Sequence, residues 1–527
     1  MSVQILDCTL RDGGYVNNWK FNNKQIIDIV DSLTESGVEI IECGFISHSK
    51  GQLIDSSLYK SIDIINNLLK LTKESNKSPS YACLINYGEC DIKDFPDCSN
   101  SAKVITDIRL AFHKEDIDGA FKDCQLLIDK GYNVYAQPMV SLRYSDKELI
   151  NLIEKFNQID IYAIYIVDSF GSMSNLDFQR LYFLFTNNVN DGIKIGYHAH
   201  NNLQLAFSNA IIFASASINN DIIIDSSVYG MGRGAGNLNT ELLTSYLNTN
   251  YTKNYIIIPL LDIIEKYLMS IHRENYWGFS PAHYLSAVNY CHPNYSTYLI
   301  NKKQFTIMEI SKLLDSIIEE KKSNFDSNYI ENLAVNFNIN KSNITQFSFP
   351  DFKYKDILII ASGPSTIKEE NKIQEFIKLK KPTIISMNHL PESIEVDYTF
   401  FSNQRRFNQY SKNIDSTKVI VTSNINKKSA QIYPFIVDYK KIIKQNNLMS
   451  DNVSMMFINK LVNDHYKEVF IAGLDGYTLN NENYSYNENY KNNDKMNLES
   501  QNKSISDSLL ILREKINIKL ITSSIFK

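Results

Sequence analysis

The sequence predicts a (β/α)8 barrel, followed by a helical segment and a C-terminal Rossmann-like α/β domain. Three observations carry this. Eight short apolar β-type runs recur within the first 230 residues. Stretches with helical periodicity separate them. After a polar stretch near residue 340 a second β–α alternation begins.

The eight runs fall at 4–9, 38–45, 80–86, 104–112, 133–140, 162–170, 193–200 and 221–229. Eight β-then-α units in about 250 residues suit a closed barrel better than an open, doubly wound sheet. The first helical stretch, FNNKQIIDIVDSLTESG, puts Ile26, Ile27, Val30 and Leu33 on one stripe and stops at Gly37. From about 250 to 337 the pattern is helical and rich in tyrosine, with TIMEISKLLDSIIEEKK its clearest amphipathic helix. NINKSNITQFSFPD then reads as a linker. The division expected is a barrel over 1–250, a helical extension and linker over 251–345, and a Rossmann-like domain over 346–527. The last contains six β-type runs, at 356–361, 383–388, 398–403, 418–424, 468–473 and 519–523. The polar stretch from Thr478 to Ser504 reads as a mobile loop whose tyrosines suit a lid.

Bulk composition narrows the function classes. A net charge of -5 over 527 residues gives no footprint for nucleic acid or an anionic membrane. The apolar runs are too short to span a bilayer, and the N-terminus lacks a secretory signal's basic and apolar segments. Seven cysteines, an odd number without a C-x-x-C pair, fit a reducing cytoplasm.

Three motifs carry chemistry. LDCTLRDGG places Arg11 and Asp12 just after the first strand, at the end where barrels keep catalytic groups. Alone, the pair suits a structural salt bridge better than a catalytic role. GYHAHNN ends the seventh strand, and His198 and His200, two residues apart, point to one face. Closure brings the first strand near the seventh, so Asp12 joins two imidazoles in a facial set of three metal ligands. YGMGRGAGNLNTEL follows the eighth strand; its glycines at 230, 232, 234 and 236 permit close backbone approach, and Asn237 could face the metal.

L-R-D-G, H-x-H-N-N and G-x-G-x-G-x-G-N, in this order, resemble the metallolyase barrels over roughly residues 3–250, nearest to the 4-hydroxy-2-oxovalerate aldolases. VDSFGSM resembles that group's sixth-strand segment. The resemblance implies Mn2+ or Mg2+ on Asp12, His198 and His200, with Arg11 stabilising an enolate and Ser169 touching the substrate carboxylate. It further implies an aldolase that makes or breaks a C–C bond of a 4-hydroxy-2-oxo acid, by way of pyruvate enolate and an aldehyde, in surface-polysaccharide or sugar-acid metabolism. One departure stands out: those aldolases have a histidine base where this chain has Tyr15, and His48 and His113 are rival bases. In the C-terminal domain, ILIIASGPS offers Gly363, Pro364 and Ser365 as a phosphate-binding turn or, equally, a plain helix cap. With Asp475 and Gly476 of FIAGLDGY it resembles sialyltransferase-like and other nucleotide-sugar domains, which implies a nucleotide-sugar ligand. The alternatives are a Claisen-type acyl-CoA condensing enzyme, a bifunctional aldolase plus nucleotide-sugar transferase, and a non-catalytic barrel. A homo-oligomer stays an open option.

Overall fold

The computed structural model describes residues 2–526 apart from 49–54, 99–102, 217–218, 342–345, 353–355, 426–432, 446–447, 479–482 and 486–494. The chain forms two compact units. One comprises Met1–Pro293 with Lys322–Asn324, the other Asn294–Lys321 with Phe325–Lys527. The segment read as one helical extension is therefore shared between them.

The first unit is a closed parallel barrel of β1 (Val3–Asp7), β2 (Ile40–Ile46), β3 (Ser80–Asn86), β4 (Ile105–Phe112), β5 (Asn133–Pro138), β6 (Ala163–Asp168), β7 (Lys194–Ala199) and β8 (Ile222–Ser226). Closure is made by β1, which pairs with both β2 and β8. All eight strands lie where the apolar runs predicted them. The runs extend past several strand ends because the catalytic turns are themselves buried. Outward-facing Ile5, Ile41, Ile108, Val134 and Ile166 join the helices in one large apolar layer. Leu6, Ile40, Tyr135, Tyr165 and Ile223 fill the interior. Helix α1 (Asn23–Ser36) begins with a reciprocal capping box between Asn22 and Gln25 and ends at Gly37, φ +89°. Its buried stripe is Ile26, Ile29, Val30 and Leu33. Ile29 thus takes the place expected for Ile27, which sits at the stripe's edge.

The second unit carries a parallel sheet of β9 (Ile357–Ile360), β10 (Thr383–Met387), β11 (Tyr398–Phe401), β12 (Val419–Thr422), β13 (Phe435–Val437), β14 (Glu468–Ala472) and β15 (Asn517–Leu520). Their spatial order is β13-β12-β11-β10-β9-β14-β15. The six expected strands are present. β13, only three residues long after Pro434, was too short to read as a run. Part of the expected loop is helix: Lys495–Arg513 is α-helical, with Leu498, Ile505, Leu509 and Leu512 buried at helical spacing. Of its polar residues Glu499, Ser500 and Lys503 are exposed; 479–482 and 486–494 lie outside the described residues. Among the described residues no helix is long and apolar enough to cross a membrane.

Candidate metal centre at the barrel mouth

The site begins one layer below the mouth, with charges on three strands that are otherwise apolar. Glu42 on β2, Arg109 on β4 and Asp225 on β8 are all buried. Arg109 donates through Nη1 to Glu42 Oε2 at 2.8 Å and through Nη2 to Asp225 Oδ2. Tyr165 lies against the guanidinium, 5.1 Å from ring centroid to Cζ. Buried ions survive only when paired; each of the three has a salt-bridge partner, while Glu42 Oε1, Arg109 Nε and Asp225 Oδ1 have no hydrogen-bond partner among the described residues.

The layer orients the groups above it. Glu42 Oε2 also accepts from Arg11 Nε at 2.8 Å, and Arg11 Nη1 donates to Asp12 Oδ1 at 2.8 Å. Asp225 Oδ2 lies 2.9 Å from His198 Nδ1. A carboxylate can only accept, so His198 donates through Nδ1 and Nε2 is the nitrogen left for a metal. His200 Nδ1 lies 3.2 Å from the Arg233 carbonyl, again an acceptor, which leaves Nε2 for a metal there too.

One ligand atom from each of Asp12, His198 and His200 lies within 4.8 Å of the others; among the described residues no other such trio of His, Cys, Asp or Glu occurs. All three are buried. Burial pulls the His200 imidazole down to about 3, so it is a neutral donor at neutral pH. Burial alone would raise the Asp12 carboxyl. His200, Arg11, His198 and Arg233 together outweigh that and hold it far below the usual carboxylate range. A carboxylate oxygen and two imidazole nitrogens are the donor set a divalent cation takes.

Asn237 belongs to the same cluster. Its Nδ2 donates to Asp12 Oδ2 at 2.5 Å, while its buried Oδ1 has no hydrogen-bond partner. The loop glycines make room: a Cβ on Gly232 would stand 2.5 Å from Asn237 Nδ2 and 2.7 Å from Asp12 Oδ2. An orphaned oxygen beside a converging trio, with a glycine keeping the approach open, fits a bound metal ion.

Ser169 follows β6 at the rim, with Oγ accepting from the Val140 amide at 2.9 Å and its carbonyl accepting from Arg233 Nη2 at 3.0 Å. Tyr15 is 37% exposed at the mouth, 5.8 Å from ring centroid to Arg233 Cζ. Loss of water raises its phenol above the ordinary value, against the pull of Arg11 and Arg233, so it stays protonated. His48 stands apart, exposed, with Nδ1 4.0 Å from Asp94 and its ring against Phe95. His113 is close enough to His292 to depress it. Sequence reasoning missed Glu42, Arg109, Asp225, Arg233 and His292. The first three had a signal: a charged residue, or two in ITDIRLAF, inside a strand that is otherwise mostly apolar (IIECGFI, ITDIRLAF, IIIDS).

In the second unit, Gly363, Ser365 and Asp475 do come together, but against one another. Ser365 donates its amide to Asp475 Oδ2 at 2.7 Å and its hydroxyl to the same carboxylate. A carboxylate thus fills the place a phosphate would take, and the helix behind it, Ser365–Lys368, has four residues. Ser365 does not cap that helix with its own side chain either: the N-cap residue is Pro364, without a side-chain cap hydrogen bond. Gly363 is needed for close approach, since its Cβ would meet the Gly473 carbonyl at 2.4 Å.

Comparison with known proteins bears on the barrel alone. The family model described as HMGL-like matches residues 2–259. A 4-hydroxy-2-oxovalerate aldolase of Geobacillus genomosp. 3 is 28% identical over 278 residues, covering 50% of this chain and 78% of the relative. A second, 4-hydroxy-2-oxovalerate aldolase 6 of Rhodococcus jostii RHA1, is 26% identical over 266 residues, covering 50% and 73%. Over residues 2–259 the barrel of this chain is therefore similar to the HMGL-like family and to these aldolases.

Proposed function

We propose that the barrel is a divalent-metal-dependent carbon–carbon lyase that cleaves or forms a 4-hydroxy-2-oxo acid through pyruvate enolate. The observation that carries the reading is the convergence of Asp12, His198 and His200 beside Arg11 at the mouth of an HMGL-like barrel. A Mn2+ or Mg2+ ion on these three residues, with Asn237 beside them, supplies Lewis-acid polarisation of the 2-oxo group. Arg11, fixed by Glu42 and Asp12, stabilises the negative charge that develops on the enolate oxygen when the C3–C4 bond breaks. Ser169 contacts the substrate carboxylate. Tyr15, held protonated, donates a hydrogen bond to the C4 oxygen and positions it, while a base takes the C4 hydroxyl proton; His113, near His292, is better placed for that than His48. Pyruvate release from a panel of 4-hydroxy-2-oxo acids, with and without Mn2+, tests the reading. No release from any member would remove it.

For the second unit we propose a separate small-molecule site. A cavity opens at the carboxyl ends of β9, β10, β11 and β14, bounded by Gly363, Asn388, Asn403, Arg406 and Asp451. It lies where the strand order reverses between β9 and β14, the position at which open parallel sheets hold ligands. The nucleotide-sugar reading belongs in this cavity, not at the Ser365 turn. A rise in melting temperature with nucleotide sugars supports it; no shift with any of them removes it.

A further inference from the structure

We propose that Arg233 binds a second negatively charged group of the substrate, on the half that leaves as the aldehyde, so that the substrate is a 4-hydroxy-2-oxo acid ending in a carboxylate or phosphate. This rests on the lyase reading above and extends it to substrate class.

Arg233 lies in the glycine loop between Gly232, which faces Asp12 and Asn237, and Gly234, which faces Asn202. Its Nη2 donates to the Ser169 carbonyl at 3.0 Å, and its Nη1 lies 3.4 Å from His292 Nε2. The Tyr15 ring covers one side. Carbonyl, imidazole and phenol ring are all neutral. Burial, reinforced by Arg233 itself, pushes His292 down to about 3, so it stays an uncharged acceptor at neutral pH. These partners aim the guanidinium without cancelling its charge.

The other two arginines of the site are treated differently. Arg11 has Asp12 and Glu42, and Arg109 has Glu42 and Asp225, each as salt-bridge partners. Among the described residues no carboxylate stands within 4.0 Å of Arg233. The connected charges at the pole are two guanidiniums against three carboxylates, one negative charge in excess. A divalent cation turns that into one positive charge, which the carboxylate of a 2-oxo acid matches. Arg233 is left over. A half-buried cation held by neutral acceptors is a site for an anion, and its planar fork suits carboxylate or phosphate.

The test measures binding, which needs no turnover. The full-length protein with excess Mn2+ is titrated calorimetrically with 2-oxoglutarate and with 2-oxopentanoate, which have equal chain length and differ in a terminal carboxylate or methyl. The wild type is expected to bind 2-oxoglutarate at least ~30-fold more tightly, on the scale of a charge-assisted contact. Arg233→Met should bring the two within ~3-fold by weakening 2-oxoglutarate far more than 2-oxopentanoate. Equal affinities in the wild type overturn the proposal. So does an Arg233→Met protein that weakens both ligands alike, because Arg233 then serves the carboxylate they share. A preference for the anionic ligand without pyruvate release from any 4-hydroxy-2-oxo acid would remove the lyase reading and leave the anion site.

Discussion

His198 Nδ1 and Asp225 Oδ2 stand 2.9 Å apart, both buried, beneath the mouth of the barrel. The contact fixes the imidazole tautomer, and the same carboxylate oxygen is also bound by Arg109. A metal ligand is thereby tied to the charged layer below it. Asp225→Asn keeps the shape but removes the charge and can present an NH2 to His198. Metal affinity is expected to fall ~10–100-fold, the usual cost of losing such a partner. Mn2+ titration of both proteins checks this; unchanged affinity would show that Asp225 does not orient His198.

Arg11→Lys separates charge from geometry. Arg11 reaches Glu42 through Nε and Asp12 through Nη1, which a single ammonium cannot reproduce. Turnover should fall ~100-fold or more, about 3 kcal/mol of lost oxyanion stabilisation, with metal content retained. Near-normal turnover would make Arg11 structural.

Gly232→Ala tests the close approach of the loop to the ligands. The added Cβ meets Asn237 Nδ2 at 2.5 Å and Asp12 Oδ2 at 2.7 Å, so one of them must move. Metal affinity should drop at least ~10-fold while the far-ultraviolet circular dichroism spectrum is kept, by the same dependence on ligand orientation. An alanine protein with wild-type affinity would place the metal elsewhere.

His292 gives a pH signature. Its folded value, about 3, is depressed by burial below that of an unfolded histidine. The unfolded chain therefore binds the proton first, and the contribution of neutral His292 is lost as pH falls from about 6.5 toward about 3. Chemical denaturation of the wild type and of His292→Gln across this window should diverge by up to about 1.4 kcal/mol per pH unit. Parallel curves would mean that His292 is solvated.

Both sheets were legible because buried parallel strands are long apolar runs, and β13 escaped because three residues make no run. Asp12, His198 and His200 were legible because their spacing puts them at strand ends on one face. The layer that orients them was not, since pairing among Glu42, Arg109 and Asp225 joins residues 67 and 116 positions apart. The Ser365 turn stayed open between two readings for a similar reason: the group it binds is the chain's own Asp475, 110 residues downstream.

Enolate chemistry can be measured without knowing the aldehyde. A base that forms pyruvate enolate at this site in D2O exchanges the methyl protons of pyruvate for deuterium, which proton NMR follows as loss of the methyl signal. The account predicts exchange that requires Mn2+ or Mg2+, stops on chelation, and is abolished in His198→Ala and His200→Ala. Exchange equally fast in those variants or in the presence of chelator, or no exchange by metal-loaded wild type, would contradict it.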